Sequence, residues 1–392
     1  MQRRWLVRHP NSAIFPNEVM LEIISWLPVK HIMQWRCVSK FFKTLISDPH
    51  FVRMHLNKSK RNSHLAIPWW YHDLFGVDDC RLLTLYIPSL FEIQIQNQFT
   101  DFFRDPYYLL HGEDEDKDEY IYWRLVGSCN GLLCLISVLP RPDYNSLCFW
   151  NPAMRTKSQE FAIFSADEYM FSFGYDNSTQ TYKVVASNVL KSGCNVKSEV
   201  KVFSLGDNSW RDLPCFPFIP LYLSSDKVND NGLHLNGTIN WLAFRDYNSS
   251  VDQYLILSLD LSTETYTQLL LPLGLDNVPK YDQPILVVLM DRLCFCYDFE
   301  ETHFVIWQMK DFGVQDSWIQ LFKLGYENRS RWVYSLPLYL SENGDTLLLA
   351  REEDTVTSIY SCIDKKVEKV AVINNVGWLY AMDYVESLVP TL

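Results

Sequence analysis

Along the chain the spacing of hydrophobic positions changes once, near residue 65. Before that point Met20, Ile23, Ile24 and Leu27 recur at helical spacing behind Phe15-Pro16. Pro16 suits the first position of a helix, and Glu18 in its first turn complements the dipole. Pro28 stops this helix and can start a second one carrying Val29, Ile32, Met33, Trp35 and Val38. Ser39 is a natural N-cap for a third, with Phe41, Phe42, Leu45 and Ile46, which Asp48-Pro49 ends. Three short amphipathic helices without a glycine make a unit too small to bury its own apolar surface, so part of that surface is expected to dock on something else.

From about Leu65 onward the helical period gives way to short alternating segments punctuated by turns, the signature of an all-β region. Asn130-Gly131, Asn236-Gly237 and Asn343-Gly344 each join two apolar runs, as a type I′ hairpin requires, because both central residues must take positive φ. A second kind of turn carries Asn151, Asp207, Asp260, Asp311 and Asp364, spaced by just over fifty residues on average, the length of a four-stranded propeller blade. The region therefore reads as a β-propeller of about six blades. The sixth would be assembled from Arg81 to Gln98 and the distant stretch Trp378 to Tyr384. The repeated turn carboxylates are assigned to hydrogen-bonding their own backbone, and Trp150, Trp210, Trp241, Trp307 and Trp318 to packing.

Charge divides the chain at the same place. The net value is −12, yet residues up to His64 hold eleven Lys and Arg against three acids, an excess of +8 that leaves about −20 on the remainder. Two modules with different partners follow, with an acidic partner for the first. Nucleic acid is not expected as a ligand of the acidic bulk. No apolar run reaches the roughly eighteen residues of a membrane helix; the longest, Pro284 to Tyr297, is cut by Asp291-Arg292. Neither export nor membrane insertion is expected, and the scattered cysteines suit a cytoplasmic or nuclear setting, with Cys294 and Cys296 as core thiols.

Phe15-Pro16-Asn17-Glu18-Val19 through Ser25-Trp26-Leu27-Pro28, then Arg36-Cys37-Val38-Ser39-Lys40 and Ile46-Ser47-Asp48-Pro49, resemble a plant-type F-box. Phe15 stands where leucine is usual, and Phe42 where tryptophan is common. The resemblance implies a trihelical motif that docks on a Skp-type adaptor, and through it on cullin and RING subunits. Carried over, the adaptor-binding residues would be Phe15, Pro16, Leu21, Ile24, Leu27, Pro28, Ile32, Cys37, Val38, Phe42 and Leu45, with each residue equally able to serve the internal core. The later blocks Gly127 to Cys134, Trp150 to Arg155, Phe173 to Asp176 and Leu235 to Leu242 resemble the F-box-associated domain of plant F-box/kelch-repeat proteins, a group that includes the S-locus F-box proteins. True kelch repeats carry a Gly-Gly doublet, which this chain lacks.

The resulting expectation is an α+β multidomain chain: a small N-terminal F-box over 12–57, a linker over 58–80 and the propeller over 81–385. Motifs for phosphate cradling, zinc proteolysis and hydrolase elbows are missing from the sequence, so no catalytic residue, metal ligand or cofactor is assigned. The acidic run Glu113 to Glu119 and the cluster Lys58 to Arg61 read as solvated segments, the latter also as a weak nuclear signal. The function implied is substrate recognition for an SCF-type ubiquitin ligase, with an unknown protein target, an unassigned target-binding surface and no catalysis by the chain itself. The competing readings are an enzyme or glycan-binding propeller whose F-box controls its turnover, and a non-degradative scaffold.

Overall fold

The computed structural model describes residues 16–59, 63–72, 78–88, 122–138, 145–164, 169–192, 195–221, 231–244, 254–273, 275, 284–299, 302–325, 334–353, 356–363, 366–372 and 377–391. Phe15, the acidic run 113–119, Lys60, Arg61 and Asp364 lie outside them.

Among the described residues the helical unit has four helices, α1 (Asn17–Ile24), α2 (Val29–Arg36), α3 (Lys40–Ile46) and α4 (Pro49–Ser59). Pro16 and Pro28 stand at the N-caps of α1 and α2 with φ of −51° and −56°, so Pro16 sits one position outside the helix it was expected to begin. Ser39 caps α3 as expected, its Oγ accepting the Phe42 N–H at 3.2 Å. The fourth helix was not foreseen. Asp48 ends α3 and also caps α4, its Oδ1 accepting from the backbone of His50 at 2.7 Å and of Phe51 at 3.3 Å. Helix α4 buries Phe51, His55 and Leu56.

Strands β1 (Ser63–His72) and β2 (Asp78–Tyr86) come next. Blade one follows with β3 (Tyr122–Cys129), β4 (Leu132–Val138), β5 (Ser146–Asn151), β6 (Thr156–Lys157) and β7 (Phe161–Ala162). Blade two has β8 (Met170–Asp176), β9 (Thr181–Ser192), β10 (Asn195–Ser204) and β11 (Ser209–Leu213). Blade three has β12 (Ile219–Pro220), β13 (Leu233–Leu235), β14 (Thr238–Phe244), β15 (Tyr254–Asp260) and β16 (Tyr266–Leu269). Blade four has β17 (Ile285–Leu289), β18 (Arg292–Phe299), β19 (His303–Met309) and β20 (Trp318–Gly325). Blade five has β21 (Tyr334–Leu340), β22 (Thr346–Glu353), β23 (Val356–Ile363) and β24 (Lys366–Val372). The sixth sheet is composite: β25 (Met382–Val385) pairs with β1, and β1 with β2, all antiparallel. The chain is thus an N-terminal F-box-type helical unit joined to an all-β propeller, in which, among the described residues, five sheets have four or five strands and the closing one has three.

The closing blade corrects the expected boundary. Residues assigned to a linker over 58–80 instead supply the end of α4, all of β1 and the start of β2. Pro68 lies inside β1 although proline lacks the N–H that a ladder needs. Its carbonyl accepts the Gly377 N–H at 2.8 Å, so its ring nitrogen faces that side, away from the β2 ladder. Apolar clusters then run from blade to blade around the whole ring: Phe149, Phe173 and Phe203 between blades one and two, Val185, Trp241 and Leu257 between two and three, and Leu242, Phe295 and Trp318 between three and four. Leu65, Cys296, Leu348 and Trp378 join four, five and six, while Leu125, Trp150 and Tyr384 join six to one. Trp210 and Trp307 pack at the margins of such clusters. Cys294 and Cys296 are buried core thiols, as expected.

The turns carry the regular spacing. Asn130-Gly131 and Asn236-Gly237 have the positive φ pairs 51°/81° and 51°/83°, and Met290-Asp291 adopts 53°/53° without a glycine. Asp260 bonds its own turn through the Ser262 and Thr263 N–H groups at 2.7 and 2.9 Å. In blade two Asn208, not Asp207, plays this part by accepting from Gly206.

Candidate functional site

Helix α1 and the turn that follows it carry two apolar stripes offset by one residue. Met20, Ile24 and Leu27 face inward, whereas Val19, Ile23 and Trp26 face solvent with 42%, 56% and 50% exposure. The α2–α3 corner adds Trp35, Val38 and Phe41, of which Val38 is 72% exposed. Phe42 braces this corner, its ring 5.1 Å from that of Trp35 and 5.4 Å from that of Phe41, centroid to centroid. Such a density of exposed apolar side chains on one small unit marks an interaction surface.

The residues named from sequence divide among three environments. Pro16, Pro28, Cys37 and Val38 are exposed; Leu21, Leu27, Phe42 and Leu45 are half-buried; Ile24 and Ile32 are enclosed with Val29, Ile46 and Phe51 and present no surface to a partner. Val19, Ile23, Trp26, Trp35 and Phe41 were missed. For Val19, Ile23 and Trp26 the signal that could have found them is the second stripe at i, i+4, i+7 along α1 and the turn after it, which reads as redundant until the inward stripe is known.

Two devices hold this surface rigid. Lys58 of α4 donates to a Glu22 carboxylate oxygen and, at 2.7 Å, to Ser25 Oγ, with its ammonium 4.6 Å from the centre of the Trp26 ring. The Lys58 and Trp26 hydrogen bonds lower the pKa of Glu22. Lys58 is therefore a helical cross-brace and not part of a solvated linker. Beneath it, buried His55 donates from Nε2 to the Leu27 carbonyl at 3.0 Å and stands 3.3 Å from Ser59 Oγ through Nδ1; burial lowers its pKa. This bond fixes the carbonyl that precedes Pro28.

The second device is the segment after β25. Leu388 is 3% exposed and completes the helical core, while Val389 joins the blade one–two cluster beside Leu56 of α4. Asn151 Nδ2 donates to the carbonyls of Ser387 at 3.1 Å and Val389 at 2.7 Å, and its Oδ1 accepts from Met154 N at 3.1 Å. Asn151 thus stabilises its turn, as expected, and also ties the segment down. Gly131 has no room for a side chain: a Cβ there would lie 2.2 Å from Ser387 Oγ, and its φ is +81°. The segment is a strap between helices and propeller.

The inner strands β3, β8, β13, β17, β21 and β25 enclose a central channel of about 560 Å³. Leu56 of α4 reaches its wall at the mouth formed by the inner-strand turns, where Asp291, Glu342 and Asp383 are exposed. Among the described residues no three His, Cys, Asp or Glu side chains converge as a metal site would require, and no helix is long and apolar enough to cross a membrane.

Comparison with known proteins agrees with this architecture. Residues 14–54 match the family model of the F-box domain, and 96–391 match that of the F-box associated beta propeller domain. An F-box/kelch-repeat protein of Arabidopsis thaliana is 29% identical over 88% of this chain and 87% of its own length. The F-box protein CPR1 of the same plant is 25% identical over 86% and 79%. Among solved structures, the SapL1 lectin in complex with alpha methyl fucoside has a TM-score of 0.42 at 10% identity, covering 80% of this chain and 97% of that one, a likeness too loose to bear on function.

Proposed function

Because the chain belongs to the family that joins an F-box to an F-box associated beta propeller domain, we propose that it serves as the substrate-recognition subunit of an SCF-type ubiquitin ligase. The observation that carries this reading is the exposed apolar surface of the helical unit, with Val19 and Ile23 on α1, Trp26 in the turn after it, and Val38 and Phe41 at the α2–α3 corner. In this reading that surface docks on a Skp-type adaptor, which brings cullin and RING subunits with it. The lysines Lys40 and Lys43 of α3 are exposed and suit an acidic adaptor, steering its approach while the apolar anchors set its residence time. The propeller captures a protein target. We assign capture to the channel mouth away from α4, since the helices and the strap occupy the other.

The chain's own contribution is proximity: a target held by the rigid propeller keeps its lysines at high local concentration around the ubiquitin thioester, with no nucleophile supplied by the receptor. Co-purification tests the first half. The intact chain is expected to retain a Skp-type adaptor, and Ile23→Asp with Val38→Asp to lose it at unchanged circular dichroism; an intact chain that retains no adaptor overturns the proposal. Purification with a stabilised cullin complex, read by mass spectrometry, then identifies the target.

A further inference from the structure

Three inner strands bring together chemistry that neither the docking surface nor the strap uses. Cys129 ends β3, Tyr175 lies on β8 and His234 on β13, and all three line the central channel. The Cys129 Sγ is 3.5 Å from His234 Nδ1, and His234 Nε2 is 3.3 Å from the Tyr175 carbonyl oxygen. A carbonyl can only accept, so Nε2 carries the hydrogen and Nδ1 presents its lone pair to the thiol. This is the arrangement in which an imidazole takes a thiol proton, leaving a thiolate beside an imidazolium. Cys129 is only 6% exposed, and its access is from the channel.

We propose that Cys129 and His234 form a thiolate–imidazolium pair that makes the channel wall a site of covalent modification by a small uncharged oxidant of the peroxide class. The thiolate sulfur attacks one peroxide oxygen and the O–O bond breaks. Sulfur is oxidised by two electrons to a sulfenic acid, and the departing hydroxide takes the imidazolium proton and leaves as water. A thiol 6% exposed on the channel wall favours small uncharged reagents over bulky or charged ones. Burial raises the pKa of Cys134 and Cys296 well above the usual thiol range, and that of Cys148 and Cys294 to about 12, so these four are poor competitors for the oxidant.

The test uses the intact chain, with exposed Cys37 and Cys215 as internal references. Native protein is pulsed with iodoacetamide across a pH series, and each cysteine peptide is quantified by mass spectrometry. An unperturbed thiol is only about 0.3% ionised near pH 6, so Cys129 is expected to label there at least about tenfold faster than Cys37 and Cys215. His234→Gln should abolish that low-pH labelling at unchanged melting; should the variant melt early, the wild-type profile alone decides. In a second arm, low hydrogen peroxide followed by unfolding in the presence of dimedone should trap a sulfenic acid at Cys129 at lower peroxide doses than at either reference. A Cys129 profile that falls in step with the references, labelling only after denaturation, or equal trapping at all three cysteines overturns the proposal.

Discussion

Ile23 and Ile24 are neighbours in sequence and chemically identical, yet Ile23→Ala and Ile24→Ala are expected to fail in different assays. Ile24 is 1% exposed among Val29, Ile32, Ile46, Phe51 and Leu388. Truncating it leaves a cavity in a small core, a loss of about 2–5 kcal/mol. Ile23 is 56% exposed, so its truncation should change stability by no more than about 0.5 kcal/mol. Fully burying an isoleucine side chain is worth roughly 1.5–3 kcal/mol; covering the exposed half of Ile23 on docking should contribute about 1–2 kcal/mol, or about a five- to thirtyfold change in adaptor Kd. Denaturant melts of the purified variants and titration calorimetry with a Skp-type adaptor separate the two effects. Unchanged affinity for Ile23→Ala, together with weakened binding by an Ile24→Ala variant of normal stability, would place the contact on the other stripe and refute the reasoning.

Asn151→Ala leaves the Ser387 and Val389 carbonyls without their amide donor and should destabilise by about 2–4 kcal/mol in urea unfolding; a change below about 0.5 kcal/mol would mean the strap holds without it. Deleting residues 378–391 removes β25 and should expose the β1 edge, seen as aggregation in light scattering, whereas a monomer with unchanged melting would show the ring closes by other means. Burial depresses the His55 pKa, so the unfolded chain binds its proton first and this residue's contribution, complete above 6.5, declines as pH falls below that value. The melting temperature should therefore drop between about pH 6.5 and 5, and less steeply in His55→Gln; parallel curves would remove His55 from the account.

What the sequence disclosed was what local chemistry dictates. Prolines at 16 and 28 and Ser39 mark helix starts because backbone geometry and capping depend on one or two residues. Asn130-Gly131 and Asn236-Gly237 gave away their hairpins and turns such as that of Asp260 the blade period for the same reason, whereas at Asn343-Gly344 only the glycine takes positive φ. Helix α4 stayed hidden because His50, Arg53, His55 and Lys58 mask its apolar side; His55 counts as polar in a pattern but is satisfied in the core by Leu27 and Ser59. The strap, the completion of the helical core by Leu388 and the meeting of Cys129 with His234 depend on long-range pairing that no period encodes. Dividing the α1 surface between core and docking failed likewise, because the choice between adjacent stripes is made by what packs against them.

The strap has a consequence during synthesis. Leu388 leaves the ribosome hundreds of residues after Ile24, on the order of tens of seconds later at ordinary elongation rates. Until then the helical unit lacks a core side chain, β1 lacks its inner neighbour, and the ring cannot close. A nascent or prematurely terminated chain would thus present an unfinished docking surface. Competence to join a partner is coupled to completion of the propeller, so fragments with an intact helical sequence but no strap should compete poorly for the adaptor.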